Sequence, residues 1–213
     1  MTITKLGHCC LLIEVKDKRI LVDPGRFSTG QNRLLDIDIV LITHEHADHC
    51  HTESLLQIVA NNPDVIVVTN TSVATLLQTL EVTAHVMEGG DSATVADIFL
   101  EAFDGVHVEI FEDFGLVQNT GYFVDDTFFF PGDAYTVPNK PVAVLALPVA
   151  GPWCKVADAI RYAMTIKPNV AFPVHDATLN ETGQAVTYPH FERELNKAGI
   201  DFLVLETGMA REF

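Results

Sequence analysis

An α/β protein is what this 213-residue sequence predicts, on three observations. Aliphatic runs of strand length recur almost without polar interruption, as at residues 37–43 and 170–174, which is the pattern of strands covered on both faces. Segments with apolar residues at helical spacing lie between such runs. The alternation of sheet and helix occurs twice, before and after a β-rich middle section. With 48% apolar residues the chain buries a substantial core and disorder is excluded, so a single domain over residues 1–213 is expected.

Residues 3–22 read as strand, strand, tight turn and strand, punctuated by Gly7 and by the charged cluster Lys16, Asp17, Lys18 and Arg19. The run Ile20, Leu21, Val22 ends in Asp23, Pro24 and Gly25, and a looser segment at 26–36 leads into the strand at 37–43. Residues 52–60 place Leu55, Leu56 and Val59 on one helical side before Asn61, Asn62 and Pro63 stop the helix. A strand follows at 65–68. A helix at 71–80 carries Val73, Leu76, Leu77 and Leu80 at helical spacing, with Thr71 or Ser72 as N-cap. Between 85 and 130 the runs 96–103, 106–111, 121–124 and 127–130 read as antiparallel β structure, the last two joined by Asp125 and Asp126. The final third alternates strand (142–147), helix (156–166), strand (170–174), helix (189–198) and strand (202–205). A weak internal duplication shows where residues 20–25 and 128–133 each end a hydrophobic strand in a Pro/Gly/Asp corner.

Thirteen Lys and Arg against 29 Asp and Glu give a net charge of −16, which repels nucleic acid and anionic membrane surfaces. Cys9, Cys10, Cys50 and Cys154 lack the density of a disulfide framework and the spacing of a zinc ribbon, so they read as reduced packing residues. Glu14, Lys16, Asp17, Lys18 and Arg19 break up the early apolar residues, and no export signal is seen. The longest apolar stretch, 142–153, is interrupted by Pro148, Gly151 and Pro152 and falls short of the roughly 18–20 residues a membrane span needs. A cytoplasmic protein is expected, acting on a small molecule, with a homo-oligomer left open by the apolar composition.

The most informative stretch is His44-Glu45-His46-Ala47-Asp48-His49, four potential metal ligands within six residues directly after a strand. Leaving a strand, residues i and i+2 converge on one cation, while the following turn aims i+4 and i+5 at a neighbouring position. His44 and His46 then share one ion, and Asp48 and His49 another. Each ion still needs donors from distant sequence, since a catalytic site uses about three protein ligands plus water.

This H-x-H-x-D-H string resembles the motif of the metallo-β-lactamase superfamily, matched without substitution at His44, His46, Asp48 and His49. The resemblance extends over nearly the whole chain, and with the Gly7-His8-Cys9-Cys10 opening it is most similar to the small metal-dependent hydrolase branch related to L-ascorbate-6-phosphate lactonases. It implies a four-layer αβ/βα sandwich, two face-to-face sheets with helices outside and metals at one sheet edge. By the same resemblance His107 is the third ligand of the first metal, with His85 as the competing candidate, Asp133 is the bridging carboxylate and His175 the last ligand. Asp48 is then both a ligand and a catalytic residue. His8 is either a proton donor or substrate contact, or a buried hydrogen-bonded histidine. Asp23 either orients a histidine ligand or simply forms a turn, and Trp153 either roofs the pocket or anchors the core. His51, Cys50 and His190 read as scaffold, the last at a helix start.

Two divalent ions about 3.5–4 Å apart need a carboxylate and a hydroxide between them, and together they lower the pKa of the shared water toward neutrality. The resemblance therefore implies a di-metal hydrolase using a metal-bridging hydroxide on a small ester, lactone or phosphodiester. Zinc is the default metal, and manganese, iron or nickel suit the same donors. The alternatives are a mononuclear iron persulfide dioxygenase, which shares the string, and a nuclease, against which charge and the lack of a basic stripe both argue. A silent binding member would have lost ligands, and none is lost.

Overall fold

The structure, a computed structural model, describes residues 1–28 and 30–213. Thr29, within the loose 26–36 segment, lies outside the described residues. The chain opens with strands β1 (Thr2–Gly7), β2 (Cys10–Val15) and β3 (Lys18–Val22), paired antiparallel. The sheet then continues parallel through β4 (Ile39–Leu41), β5 (Ile66–Thr69) and β6 (Ala84–Val86), with helices α1 (Thr52–Asn61) and α2 (Thr71–Gln78) in the crossovers. A second sheet repeats the plan. Strands β7 (Ser92–Val95), β8 (Ile98–Val106), β9 (Gln118–Val124) and β10 (Phe128–Phe130) are antiparallel, and β11 (Val144–Pro148), β12 (Val170–Val174) and β13 (Asp201–Phe202) extend it in parallel, with α3 (Val156–Ile166) and α4 (Glu181–Lys197) between them. A final strand β14 (Ala210–Glu212) returns to the first sheet and pairs with β1.

Alternation along the strands builds the layers. Leu11, Ile13, Ile20, Val22, Ile39, Leu41 and Val68 point between the sheets, where they meet Ile98, Leu100, Tyr122, Phe128, Phe130 and Phe172. Their neighbours Leu12, Leu21 and Val40 face the other way, onto Leu55, Ile58, Val73 and Leu77 of α1 and α2. On the far side Phe123, Phe129, Leu145 and Leu147 pack under Ala159, Tyr162, Phe191 and Leu195 of α3 and α4. The result is the four-layer αβ/βα sandwich expected from the sequence. No helix among the described residues is long and apolar enough to cross a membrane.

Several local expectations need correction. The run at 106–111 is not a strand: only Val106 closes β8, and beyond it the chain folds into a loop whose one bridge pairs Phe111 with Phe114. The N-cap of α2 is Asn70 rather than Thr71 or Ser72, its side chain accepting the Val73 N–H at 3.0 Å. The strand expected at 202–205 is only Asp201–Phe202. The last helix begins not at Pro189 but at Glu181, where Asn180 caps it by accepting the Gly183 N–H, so His190 sits on the exposed mid-helix surface. Pro189 was misread as a helix start because proline favours that position; here it lies inside the helix on an exposed face, while Phe191 and Leu195 carry the packing.

An interior proline forfeits one helical hydrogen bond and crowds the preceding turn. Pro189→Ala is therefore expected to stabilise the fold by about 1–3 kcal/mol, read as a higher urea midpoint at unchanged slope.

Candidate metal centre

The end of β4 delivers the cluster. Thr43 and His44 leave the strand directly, and the His49 and Cys50 N–H groups both donate back to the His46 carbonyl (2.9 and 2.7 Å), winding residues 46–50 into turns ahead of α1. The other candidates arrive from the same end of the two sheets: Asp23 after β3, His107 after β8, Asp133 after β10, His175 after β12, and His8 in the turn between β1 and β2. His8, Asp23 and His175 all adopt left-handed backbone conformations, with φ of 49°, 41° and 60°. Glycine is required in the corners beside them. A Cβ on Gly25 would run into the Asp48 carbonyl, and one on Gly132 (φ 64°) into Asn119 and Thr43.

Two donor groups meet at Asp133. The ligand atoms of His44, His46 and His107 lie within 4.8 Å of one another, as do those of His44, His49 and Asp133. The Asp133 carboxylate is 3.1 Å from His49 Nε2, 3.2 Å from His107 Nε2 and 2.9 Å from His175 Nε2. Asp48 approaches from the open side, 3.4 Å from His175 Nε2 and 4.0 Å from His49 Nε2. Burial opposes ionisation of Asp133, yet the facing His49 and His175 hold its carboxyl well below the usual range. Burial likewise opposes Asp48, and the facing His175 together with the hydrogen bond from His8 outweighs it, so this carboxyl too lies well below its ordinary value. His85, the alternative to His107, instead lies on β6 at the exposed edge of the first sheet, paired with Val68.

For His44, His49 and His107, outer contacts decide which nitrogen faces inward. Asp23 is fully buried and accepts from Thr43 N (2.8 Å), Thr43 Oγ1 (2.7 Å) and His49 Nδ1 (2.6 Å). With its hydroxyl hydrogen given to Asp23, Thr43 Oγ1 accepts from His44 Nδ1 at 3.0 Å. One carboxylate thus orients two histidines, directly and through Thr43, and turns both Nε2 atoms toward Asp133. His107 donates Nδ1–H to the Val108 carbonyl (2.6 Å). The Ala177 N–H donates to His8 Nδ1 (3.2 Å), which leaves His8 Nε2–H to donate to Asp48 (3.2 Å). His8 is buried, and burial draws its pKa down to about 4 against the pull of Asp48.

These atoms fit divalent cations. His44 Nε2, His49 Nε2, His175 Nε2 and Asp133 Oδ1 are buried and have no hydrogen-bond partner, although they crowd one another. Leaving each buried polar atom unpaired costs about 1–3 kcal/mol. Lone pairs aimed at common points, rather than at hydrogens, are what bound cations compensate. His44, His46 and His107 would hold one ion and Asp48, His49 and His175 another, with Asp133 between them.

Sequence reasoning missed three supports of the site. Asn119 is buried and fixes the Asp133 corner, donating to the Pro131 carbonyl (2.8 Å) and accepting the Asp133 N–H (2.9 Å). Asn70 donates to the Thr43 carbonyl (2.9 Å), and Thr43 supplies the relay. Only a buried partner distinguishes these residues from ordinary caps and turn formers, and partners across sheets leave no trace in local sequence. Cys9, read as packing, brings its sulfur within 4.8 Å of the ligand atoms of His8, His49 and His175. Trp153 is both anchor and wall: it is buried, donates Nε1–H to Asp133 Oδ2 (3.0 Å) and stands edge-on to His107 and His175, with ring centroids 5.6 and 5.4 Å away.

The chain matches the model of a beta-lactamase superfamily domain over residues 2–175. It is 33% identical over 193 residues to protein Rv0786c of Mycobacterium tuberculosis, covering 88% of this chain and 90% of that one. It is 31% identical over 192 residues to a UPF0173 metal-dependent hydrolase of Alkaliphilus metalliredigens, covering 82% and 85%. Among solved structures it superposes on a metallo hydrolase of the archaeon Ignicoccus hospitalis with a TM-score of 0.73 at 20% identity, covering 100% and 98% of the two chains. A metallo-beta-lactamase fold protein of Bacillus subtilis gives 0.72 at 14% identity, covering 100% and 98%.

Thr43→Val keeps the shape of the relay and removes its hydroxyl. Metal affinity, measured by competition with a chromophoric chelator, is expected to fall about 10- to 100-fold; unchanged affinity would show that Asp23 does not orient His44 through Thr43. Added zinc should also raise the unfolding free energy by about 2.7 kcal/mol at a free concentration a hundredfold above its dissociation constant, and a chelator should reverse the gain.

Proposed function

Because this chain belongs to the β-lactamase superfamily, we propose that it is a di-metal hydrolase acting on a small ester, lactone or phosphodiester. The observation that carries the reading is the position of Asp133, whose one carboxylate faces both histidine groups while their inward nitrogens have no other partner. The names of the curated relatives, metal-dependent hydrolases among them, support it. When bound, the two ions supply a water ionised near neutral pH and a Lewis acid for the carbonyl or phosphoryl oxygen. Zinc is the simplest occupant of a histidine and carboxylate set, although manganese, iron and nickel suit the same donors.

The chain's own residues then divide the work. Asp23, with Thr43, holds His49 and His44 in the tautomers that face inward. Asp133 is fixed in place by Trp153 and Asn119. Asp48 lines the cleft and stays ionised beside His175 and His8, so it would meet the second ion as a carboxylate. His8 does not line the cleft. Its Nε2–H is committed to Asp48, so in this reading it positions that carboxylate rather than meeting substrate.

Elemental analysis of the purified protein, coupled to a panel of lactone, phosphodiester and thioester substrates, tests the proposal. About two equivalents of metal and hydrolysis of at least one class are expected. One equivalent of iron in a coloured protein that consumes persulfide would favour the oxygenase instead. His46→Ala is expected to lose metal and at least about 100-fold in turnover with an unchanged far-ultraviolet circular dichroism spectrum; full activity in that variant would refute the ligand assignment.

A further inference from the structure

We propose that the cleft beside the metal centre accepts a neutral ester or lactone bearing an apolar tail, and that the loop between β8 and β9 is the surface the tail lies on. The inference rests on the hydrolase reading for the reaction and goes beyond it in choosing among the substrate classes. It draws on the form of the loop, its side chains and the charge around it.

The loop is built rather than slack. The His107 N–H donates to the Val117 carbonyl (3.1 Å) and closes its base, while the Phe114 N–H donates to Phe111 O (2.9 Å) and the Leu116 N–H to Asp113 O (3.3 Å). Gly115, at φ 78°, lets the tip press inward: a Cβ there would lie 2.7 Å from Ile110 Cδ1 and 3.9 Å from His46 Cε1. The loop therefore passes close beside the His46 imidazole, with which Gly115 shares the cleft wall.

Several large apolar side chains stand exposed on the loop among the charged ones. Phe111 and Phe114 are 67% and 69% exposed, and Val106 and Leu116 extend the surface. An apolar patch of this kind on a soluble chain marks a binding site. It is continuous with the cleft, about 590 Å³, whose walls include Ile110, Phe114, Val117, Pro152 and Trp153 and whose floor holds His46, Asp48 and Asp133. That volume suits a small organic ligand.

Charge decides between the candidates. No Lys or Arg is among the described residues that line the cleft, whereas Glu45 and Asp48 do, and Glu109, Glu112 and Asp113 stand in the loop itself. A phosphodiester keeps its negative charge throughout and would meet these carboxylates with only the metals to offset them. A neutral ester or lactone develops charge only at the reacting oxygen, where the ions lie, and its hydrocarbon part gains from the aromatic surface.

Trp153 is the only tryptophan in the chain and forms part of the cleft wall, so its fluorescence reports occupancy without turnover. The metal-loaded protein is titrated with methyl alkyl ketones of increasing chain length, which are ester isosteres that cannot be hydrolysed, and with dialkyl phosphates of matched length. Affinity for the ketones is expected to rise about threefold for each of the first few methylenes, as their burial implies, and to exceed that for the matched phosphate at every length. Phe114→Ser and, separately, Phe111→Ser should flatten the dependence, weakening the longer ketones more than the shortest. A flat series, tighter binding of the phosphates, or a slope that survives both exchanges overturns the proposal. So does a dimer in sedimentation that either exchange dissociates while the slope persists, because the patch then covers a second copy of the chain. Ketone binding with the expected slope, but no cleavage of the corresponding alkyl esters, upholds the cleft assignment while removing the hydrolase reading.

Discussion

The constraint on which the structure turns is the burial of one carboxylate among imidazoles whose inward nitrogens have nothing else to bond. Asp133 is almost fully buried and lies within 3.2 Å of His49, His107 and His175. Hydrogen bonds do not resolve this crowding: the inward nitrogens of His44, His49 and His175 and Asp133 Oδ1 have no hydrogen-bond partner. The rest of the site exists to impose this arrangement: Asp23 and Thr43 turn two imidazoles inward, Asn119 and Trp153 hold the carboxylate, and His8 holds Asp48. The left-handed conformations of His8, Asp23 and His175 cost on the order of 1–3 kcal/mol each and persist because the surrounding bonds over-determine them.

The fold supplies the convergence by repeating itself. Each sheet runs antiparallel and then parallel, so β3 and β10 occupy equivalent positions as the last strands before the parallel half. Both end in the Pro/Gly/Asp corner noted in the sequence. In one corner Asp23 orients ligands from behind, and in the other Asp133 stands between the two donor groups. Gly25 and Gly132 serve the same purpose, since each lets the corner pass closer to the loop following β4 than a side chain would permit. The faint sequence similarity thus corresponds to a shared structural position with divided roles.

Much of this was legible before any coordinates. Strands with clean alternation or continuous aliphatic runs, and helices with a regular apolar stripe, declared themselves at nearly their final boundaries; α3 and β12 match the expected ranges at both ends. The errors fell where local signals compete. Pro189 imitated a helix start inside α4, where tertiary packing of Phe191 and Leu195 carries the segment through it. The apolar run at 106–111 imitated a strand, yet beyond Val106 it joins no sheet and makes only the local bridge to Phe114, with Phe111 turned outward. Burial, not propensity, separates these outcomes.

By itself the sequence determined the elements, the layer order that their faces require, and the ligand string at 44–49, because periodicity and short-range spacing are properties of neighbouring residues. The tertiary structure alone decided that His107 rather than His85 lies beside that string, that Trp153 donates to Asp133, that Cys9 stands beside His49 and His175, and that an aromatic loop borders the candidate metal centre. Those facts depend on which strand ends are brought side by side. Such contacts join residues far apart in the chain through buried hydrogen bonds and excluded water, and no stretch of sequence records them locally.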